Sequence, residues 1–573
     1  MPQRRLSALL GLLVLAGCNP GARHAESVHF PPGWRFSTVD SPVVGRRAMV
    51  ATENPAGSQV GADVMRRGGN AIDAIVAVAF AQAVVTPRAG NIGGGGFLLY
   101  RQADGQVFGL DFREKAPAAA SRNMYLDSAG NVTEKSLIGA LAAGVPGSVA
   151  GLFEAHRRFG HLPWRDVVAP AIALARDGHI LDSIRAERIA QSSLRLRRFS
   201  TSRDIFLPGG LPLLRGTLWR QPDLAATLQL IADSGADGFY RGRTADLIVQ
   251  QMQASGGIIT HADLESYRPI WRDPVRISYR GWTIFSMPPS SSGGVTMAEM
   301  FNMVEGARLP AFGSAELDHL EVEAMRRAFT DRNRFLGDPD FVAMPLDHLL
   351  SKRYATDLRR HIRSDRATPT RDLPPVVEGS ETTHYSVVDS SGNAAALTTT
   401  LNDNFGNALV VGGAGFLLND EMDDFAAKPG APNDYGLVQG EANAIAPNKR
   451  MLSAMTPAIV LDPRGDLSLV LGAPGGPRII SAVWQVISNV IDHGMTLAQA
   501  VYAPRIHHQA LPDSIRWELG GMDPEVRRRL EAMGHAFASQ PLSIADVEAI
   551  RVTRRGLEGV TDPRVQARAA AGY

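Results

Sequence analysis

The chain has 573 residues, 45% hydrophobic and 20% charged, with a formal net charge of +1. That length predicts two to four domains or one large composite fold of ordinary globular composition. With 59 basic and 58 acidic residues and no Lys/Arg block, nothing argues for a nucleic-acid partner, and a single cysteine excludes an internal disulfide.

At the amino terminus, Arg4 and Arg5 precede an apolar run over 6–16. That is a signal-peptide pattern, too short to span a bilayer. Leu15-Ala16-Gly17-Cys18 reads as a lipoprotein cleavage box, with the one cysteine where the box needs it; a plain secretory signal is the alternative. On the first reading 1–18 is a lipoprotein-type signal peptide, the mature chain starts at a lipidated Cys18, and the exported protein meets the membrane only through that anchor, in the periplasm or cell envelope. Residues 19–45 are polar and Pro/Gly-punctuated, and read as a tether.

The next pattern is a helix over 56–67 closed by Gly68-Gly69. Asn70 opens a second helix over 71–85, apolar almost all round but carrying Asp73 and Gln82. It is too short to cross a bilayer and reads as a buried core helix. A glycine run, Gly93 to Gly96, leads into a hairpin whose Asp104-Gly105 turn joins 96–102 to 106–112 and leaves Arg113 just past a strand end. The run lacks the Gly-Lys-Ser/Thr ending of a phosphate loop and opens no helix, so it reads as a place where backbones pass closely. Arg113 is either an ordinary ion-pair residue or a bidentate clamp for a carboxylate. Helical patterns fill 144–260 and 313–362 around a strand-rich stretch at 275–287, and 369–380 is loop-like.

Beyond the loop, Thr382 to Asp389 and Asn393 to Asn402 flank Ser390-Ser391-Gly392, a three-residue hairpin loop with glycine at its left-handed position. Pairing Asp389 with Asn393 sets Thr382 opposite Thr400, with Asn402 further along the same face. A threonine hydroxyl needs an adjacent base to act as a nucleophile. A free α-amine on the same residue supplies one, and that requires the Glu381–Thr382 bond to be cut. A second hairpin turns at Pro463-Arg464-Gly465; pairing Leu461 with Leu467 predicts Ser453 opposite Gly475. Gly475-Gly476 then lies where a strand gives way to an apolar helix over 479–491, a place for amides that bind an oxyanion. His384, His507 and His508 read as structural, with no acidic partner at metal-ligand spacing.

Five segments together resemble the γ-glutamyltranspeptidase family of N-terminal-nucleophile hydrolases. They are Gly90-Asn91-Ile92-Gly93-Gly94-Gly95-Gly96-Phe97, Asp111-Phe112-Arg113-Glu114, Thr382-Thr383-His384-Tyr385-Ser386, Asn419-Asp420-Glu421-Met422-Asp423-Asp424-Phe425 and Ala473-Pro474-Gly475-Gly476. The resemblance implies an α+β, four-layer αββα sandwich of two mainly antiparallel sheets. It implies a precursor that cuts itself into 46–381 and 382–573, a heterodimer of its own products that needs no cofactor or metal. Thr382 is then the nucleophile, Thr400 its neighbour, and Gly475 and Gly476 the oxyanion hole. Arg113 and Ser453 take the substrate α-carboxylate, while Asn402, Glu421 and Asp424 take its α-ammonium. The expected substrates are glutathione and related γ-glutamyl compounds, with water, an amino acid or a dipeptide as acceptor. Residues 429–440 with Tyr435 resemble the family's lid. One position departs: Ala454 stands where many members carry a second serine. The competing expectations are an acylase of the same fold, for glutaryl or poly-γ-glutamate substrates, and an inactive surface scaffold.

Overall fold

The computed structural model describes residues 28–369, 382–566 and 568–573. Cys18 and its signal segment, the loop at 370–380 and Glu381 lie outside the described residues.

Two seven-stranded antiparallel sheets carry the fold. The first runs Ala571–Gly572, Met49–Thr52, Thr382–Val388, Ala394–Thr400, Gly95–Arg101, Val107–Asp111 and Ile270–Arg272. The second runs Val43–Gly45, Gly556–Val560, Glu548–Thr553, Leu467–Gly472, Ala458–Leu461, Trp282–Ser286 and Val275–Tyr279. Strands from before and after Thr382 are therefore neighbours within both sheets.

Alternation along the strands assigns the layers. Leu98, Tyr100, Tyr385, Val387 and Leu397 pack with the helix Ala71–Val85 and its neighbours on one outer face. Phe97, Leu99, Val388, Ala394 and Ala396 point the other way, into a core shared with the second sheet and with the helices Gly293–Glu305 and Arg478–Ile491. The order is helix, sheet, sheet, helix, as the family resemblance implied. Every residue of Ala71–Val85 is buried, which is why its sequence is apolar on all sides. Its start is fixed by a capping box between Asn70 and Asp73.

Two expectations need correction. Residues 28–45 do not hang free as a tether. Trp34 is 2% exposed and donates its ring N–H to Tyr502 O at 2.9 Å, and Val43–Gly45 forms the edge of the second sheet. The predicted pairing of Ser453 with Gly475 also fails. Leu461 does pair with Leu467, but the register shifts between Val460 and Leu461, so Val460 meets Leu469 and the strand spans only Ala458–Leu461. Such a bulge displaces everything beyond it by one residue. Ser453 instead forms a parallel bridge with Ser291.

Candidate active site

The hairpin that starts at Thr382 is built as the sequence predicts: Thr382 pairs with Thr400, and each pair keeps that register to Val388 and Ala394. Gly392 takes φ +86°, and Asp389 Oδ1 accepts the amides of Ser391 and Asn393 at 2.9 and 3.0 Å, which closes the loop. Even-numbered side chains of Thr382–Val388 face the second sheet. Ser386 Oγ donates to Val470 O at 3.2 Å, and His384 lies over Gly472, where an added Cβ would sit 2.4 Å from the imidazole. Each step of two residues on one strand is matched on the other. Thr382, the next even position, therefore falls above the start of the Pro474-Gly475-Gly476 turn.

His384 is a packing residue, bonded to Thr398 Oγ1 at 2.8 Å and Ser386 Oγ at 3.0 Å. Burial pushes it down to about 3, so it stays neutral at any working pH.

Thr382 Oγ1 donates to Thr400 Oγ1 at 3.5 Å, and Thr400 Oγ1 accepts the Asn402 amide at 2.8 Å. Asn91 Nδ2 holds Thr400 from behind, donating to its carbonyl at 2.9 Å. The glycine run makes that approach possible, since a Cβ on Gly94 would lie 2.0 Å from Thr400 O. Backbones do pass closely there.

The glycine turn sits at the amino end of the helix Arg478–Ile491. Gly475 has φ +131° and Gly476 φ +56°, angles that side chains other than glycine resist. Amides at a helix start carry partial positive charge and suit a developing oxyanion. Tyr435 lies across the turn: a Cβ on Gly476 would be 2.5 Å from its ring, its hydroxyl donates to Asn402 O at 3.1 Å, and Gln509 Nε2 donates to its carbonyl at 3.0 Å.

These groups wall one small cavity of about 20 Å³, which Thr382, Thr400, Asn402, Gly476 and Tyr435 share with Ser453, Ala454, Arg113, Glu421 and Asp424. Gly475 faces a neighbouring cavity instead. Every predicted catalytic and substrate residue that is described thus converges on the glycine turn.

The cavity's charge is concentrated at Arg113, which is completely enclosed. Its Nη1 is 2.6 Å from Glu421 and 3.3 Å from Glu114, its Nη2 pairs with Asp424, and its Nε donates to Met451 O at 3.3 Å. Burial works against the guanidinium charge, but Glu421, Glu114 and Asp424 outweigh it and hold the pKa above the usual arginine value. Three carboxyl groups around one cation cannot all stay charged without a second cation. Burial raises Glu421 well above the ordinary carboxylate range and pushes Glu114 up to about 7, in both cases against the pull of Arg113. An ammonium group is the natural neutraliser of such a site. Ser453 is held by its backbone, whose carbonyl accepts from Ser292 Oγ at 2.6 Å, while Met455 N donates to its hydroxyl at 3.2 Å.

Sequence reading missed Arg332. This buried side chain lines the same cavity from the last turn of the helix Ala315–Phe335. It donates to Ser292 Oγ at 2.9 Å, and burial lowers it to about 10. Nothing in its local sequence marks it, because a basic residue in the last turn of a helix is a common helix-end feature. Among the described residues no cluster of His, Cys, Asp and Glu could hold a metal ion.

The profile of the gamma-glutamyltranspeptidase family matches residues 57–572. The chain belongs to that family. The glutathione hydrolase proenzyme of Escherichia coli is 45% identical over 544 residues, 93% of either chain. A cephalosporin acylase from Bacillus halodurans superposes with TM-score 0.83 at 27% identity, over 95% of this chain and 99% of that one. The gamma-glutamyltranspeptidase of Helicobacter pylori, 44% identical with TM-score 0.56, matches over 58% of this chain and 95% of its own. An enzyme of the γ-glutamyltranspeptidase class fits both the fold and the site.

Proposed function

We propose that the chain is a proenzyme that cuts its own Glu381–Thr382 bond and then acts as a glutathione hydrolase and γ-glutamyltransferase. The observation that carries this reading is the placement of Thr382. Its hydroxyl is 3.5 Å from Thr400 Oγ1, in a cavity shared with the glycine turn and an acid-rich ion-pair cluster. Thr382 Oγ1 attacks the γ-carbonyl of the donor, and the α-amine freed by the cut accepts the proton. The Gly475 and Gly476 amides stabilise the oxyanion, and the α-ammonium of Thr382 passes its proton to the leaving nitrogen as the C–N bond breaks and the amine departs. Water or an acceptor amine then resolves the γ-glutamyl ester.

The zwitterionic head of the substrate enters by exchanging ion pairs. Its ammonium takes Glu421, Asp424 and Asn402, which frees Arg113 donors for its carboxylate beside Ser453. The cavity holds about 20 Å³ with Tyr435 in place, so the 429–440 lid moves for a γ-glutamyl group to enter. The Helicobacter pylori chain covers a share of this chain about as large as 46–381, which supports division into 46–381 and 382–573. Export and anchoring through Cys18 complete the reading. Cys18→Ser should move the protein from the membrane fraction to the soluble one, and unchanged partitioning would remove the anchor.

The deciding experiment compares γ-glutamyl and glutaryl anilides with purified protein. Glutaryl groups carry no ammonium for Glu421 and Asp424, so the γ-glutamyl compound should be cleaved far faster. Preference for the glutaryl anilide would make the enzyme an acylase of the same fold, and no cleavage of either would leave a scaffold.

A further inference from the structure

The glycine turn has a second cavity beside it, about 390 Å³, with Gly475 in its wall. Four guanidinium groups line it, those of Arg35, Arg188, Arg478 and Arg564, against one carboxylate, Asp546. Arg564 is already neutralised, with Glu518 at 2.6 Å and Asp562 at 3.0 Å. Arg188 is half-buried and donates to the neutral Gln191 Oε1 at 3.3 Å, and Arg35 stacks on Phe36 at 4.5 Å. Among the described residues neither has a carboxylate within ion-pair distance. Burial, followed by the nearby Arg88, works against the charge on Arg188, and burial likewise lowers Arg478 to about 10. A roomy cavity with two guanidinium groups that lack a carboxylate partner, Arg188 half-buried and Arg35 exposed at its rim, is complementary to an anion, and guanidinium matches the planar carboxylate best.

We infer that this cavity receives the terminal carboxylate of a dipeptide, either the one leaving from the donor or the one arriving as acceptor. The inference rests on the hydrolase reading above. In that reading the γ-glutamyl carbonyl sits at the glycine turn with its amino-acid head among Arg113 and the acids. The amine side of the scissile bond then projects away from them. A dipeptide spans about 7 Å from its nitrogen to its carboxylate. That reach suits a site whose wall begins at Gly475, on the far side of the turn from Arg113 and the acids.

The test uses Arg188→Gln, Arg35→Gln and the double variant, with two donors that share the γ-glutamyl group. Glutathione has a carboxylate on its leaving group and the anilide has none. The expected result is a KM for glutathione raised roughly five- to tenfold in the double variant, with anilide hydrolysis within about twofold of wild type. Among acceptors, glycylglycine should lose affinity and glycinamide should not. Added salt should weaken glutathione binding in wild type more than in the double variant. Parallel changes for both donors, or no change for either, would overturn the carboxylate site. If wild type cleaves neither donor, the hydrolase reading itself has failed, a result distinct from either.

Discussion

Arg113 shows how one side chain can be fully buried and still available. Its charge is balanced by Glu421, Asp424 and Glu114, so the interior tolerates it, and in the proposed reaction a zwitterion replaces those internal pairs with its own. Lysine has the charge but not the fork, so Arg113→Lys leaves buried acceptors unpaired. We expect autocleavage to proceed and kcat/KM for γ-glutamyl anilide to fall about a hundredfold, on the order of 3 kcal/mol. Unchanged kinetics would take Arg113 out of the substrate site. Ala454 is the opposite case, a missing hydroxyl at the cavity wall. Ala454→Ser should lower KM about fivefold, on the order of 1 kcal/mol net of desolvation. An equal or higher KM would mean that another donor already serves that carboxylate.

At the scale of elements, the two hairpins explain what the sequence could and could not reveal. Thr382–Val388 and Ala394–Thr400 are joined by a loop whose glycine and Asp389 admit one register, and the register brings Thr382 to Thr400 without any tertiary information. The second hairpin holds the same kind of turn, yet a bulge at Val460/Leu461 shifts it, because pairing with Thr283 and Ile284 on the neighbouring strand also constrains it. Ser453 reaches the site through Ser291 and Ser292 rather than through its own hairpin. Arg332 was illegible for a related reason: only packing of distant helices brings it to the cavity. The segment 429–440, proposed above as a lid, offers a test at this scale. Tyr435→Phe keeps the ring over Gly476 and removes the hydroxyl bond to Asn402 O. The expected cost is about 0.5–1.5 kcal/mol of lid closure, read as KM raised roughly two- to tenfold with the precursor still processed. A large fall in kcat instead would place the tyrosine hydroxyl in the chemistry.

For the whole molecule, the deciding prediction is the cut. Wild type should run as two bands under denaturing conditions, the smaller beginning Thr-Thr-His-Tyr-Ser, and as one particle without denaturant. Thr382→Ala should remain one chain of precursor size and be inactive, since the same hydroxyl serves maturation and turnover. An active enzyme found as a single intact chain would overturn the mechanism. The interleaving of strands has a consequence for the enzyme's history. In the first sheet Ala394–Thr400 lies between Thr382–Val388 and Gly95–Arg101, so neither product owns a complete sheet. The precursor folds as one chain, where partner strands are tethered and their encounter is independent of concentration. If the Glu381–Thr382 bond is cut as proposed, the same architecture becomes a dimer, and regaining it after denaturation demands that two incomplete pieces find each other. A cut enzyme of this build would be protected by the slowness of its unfolding rather than by an easy return, and its working lifetime would be a matter of rates.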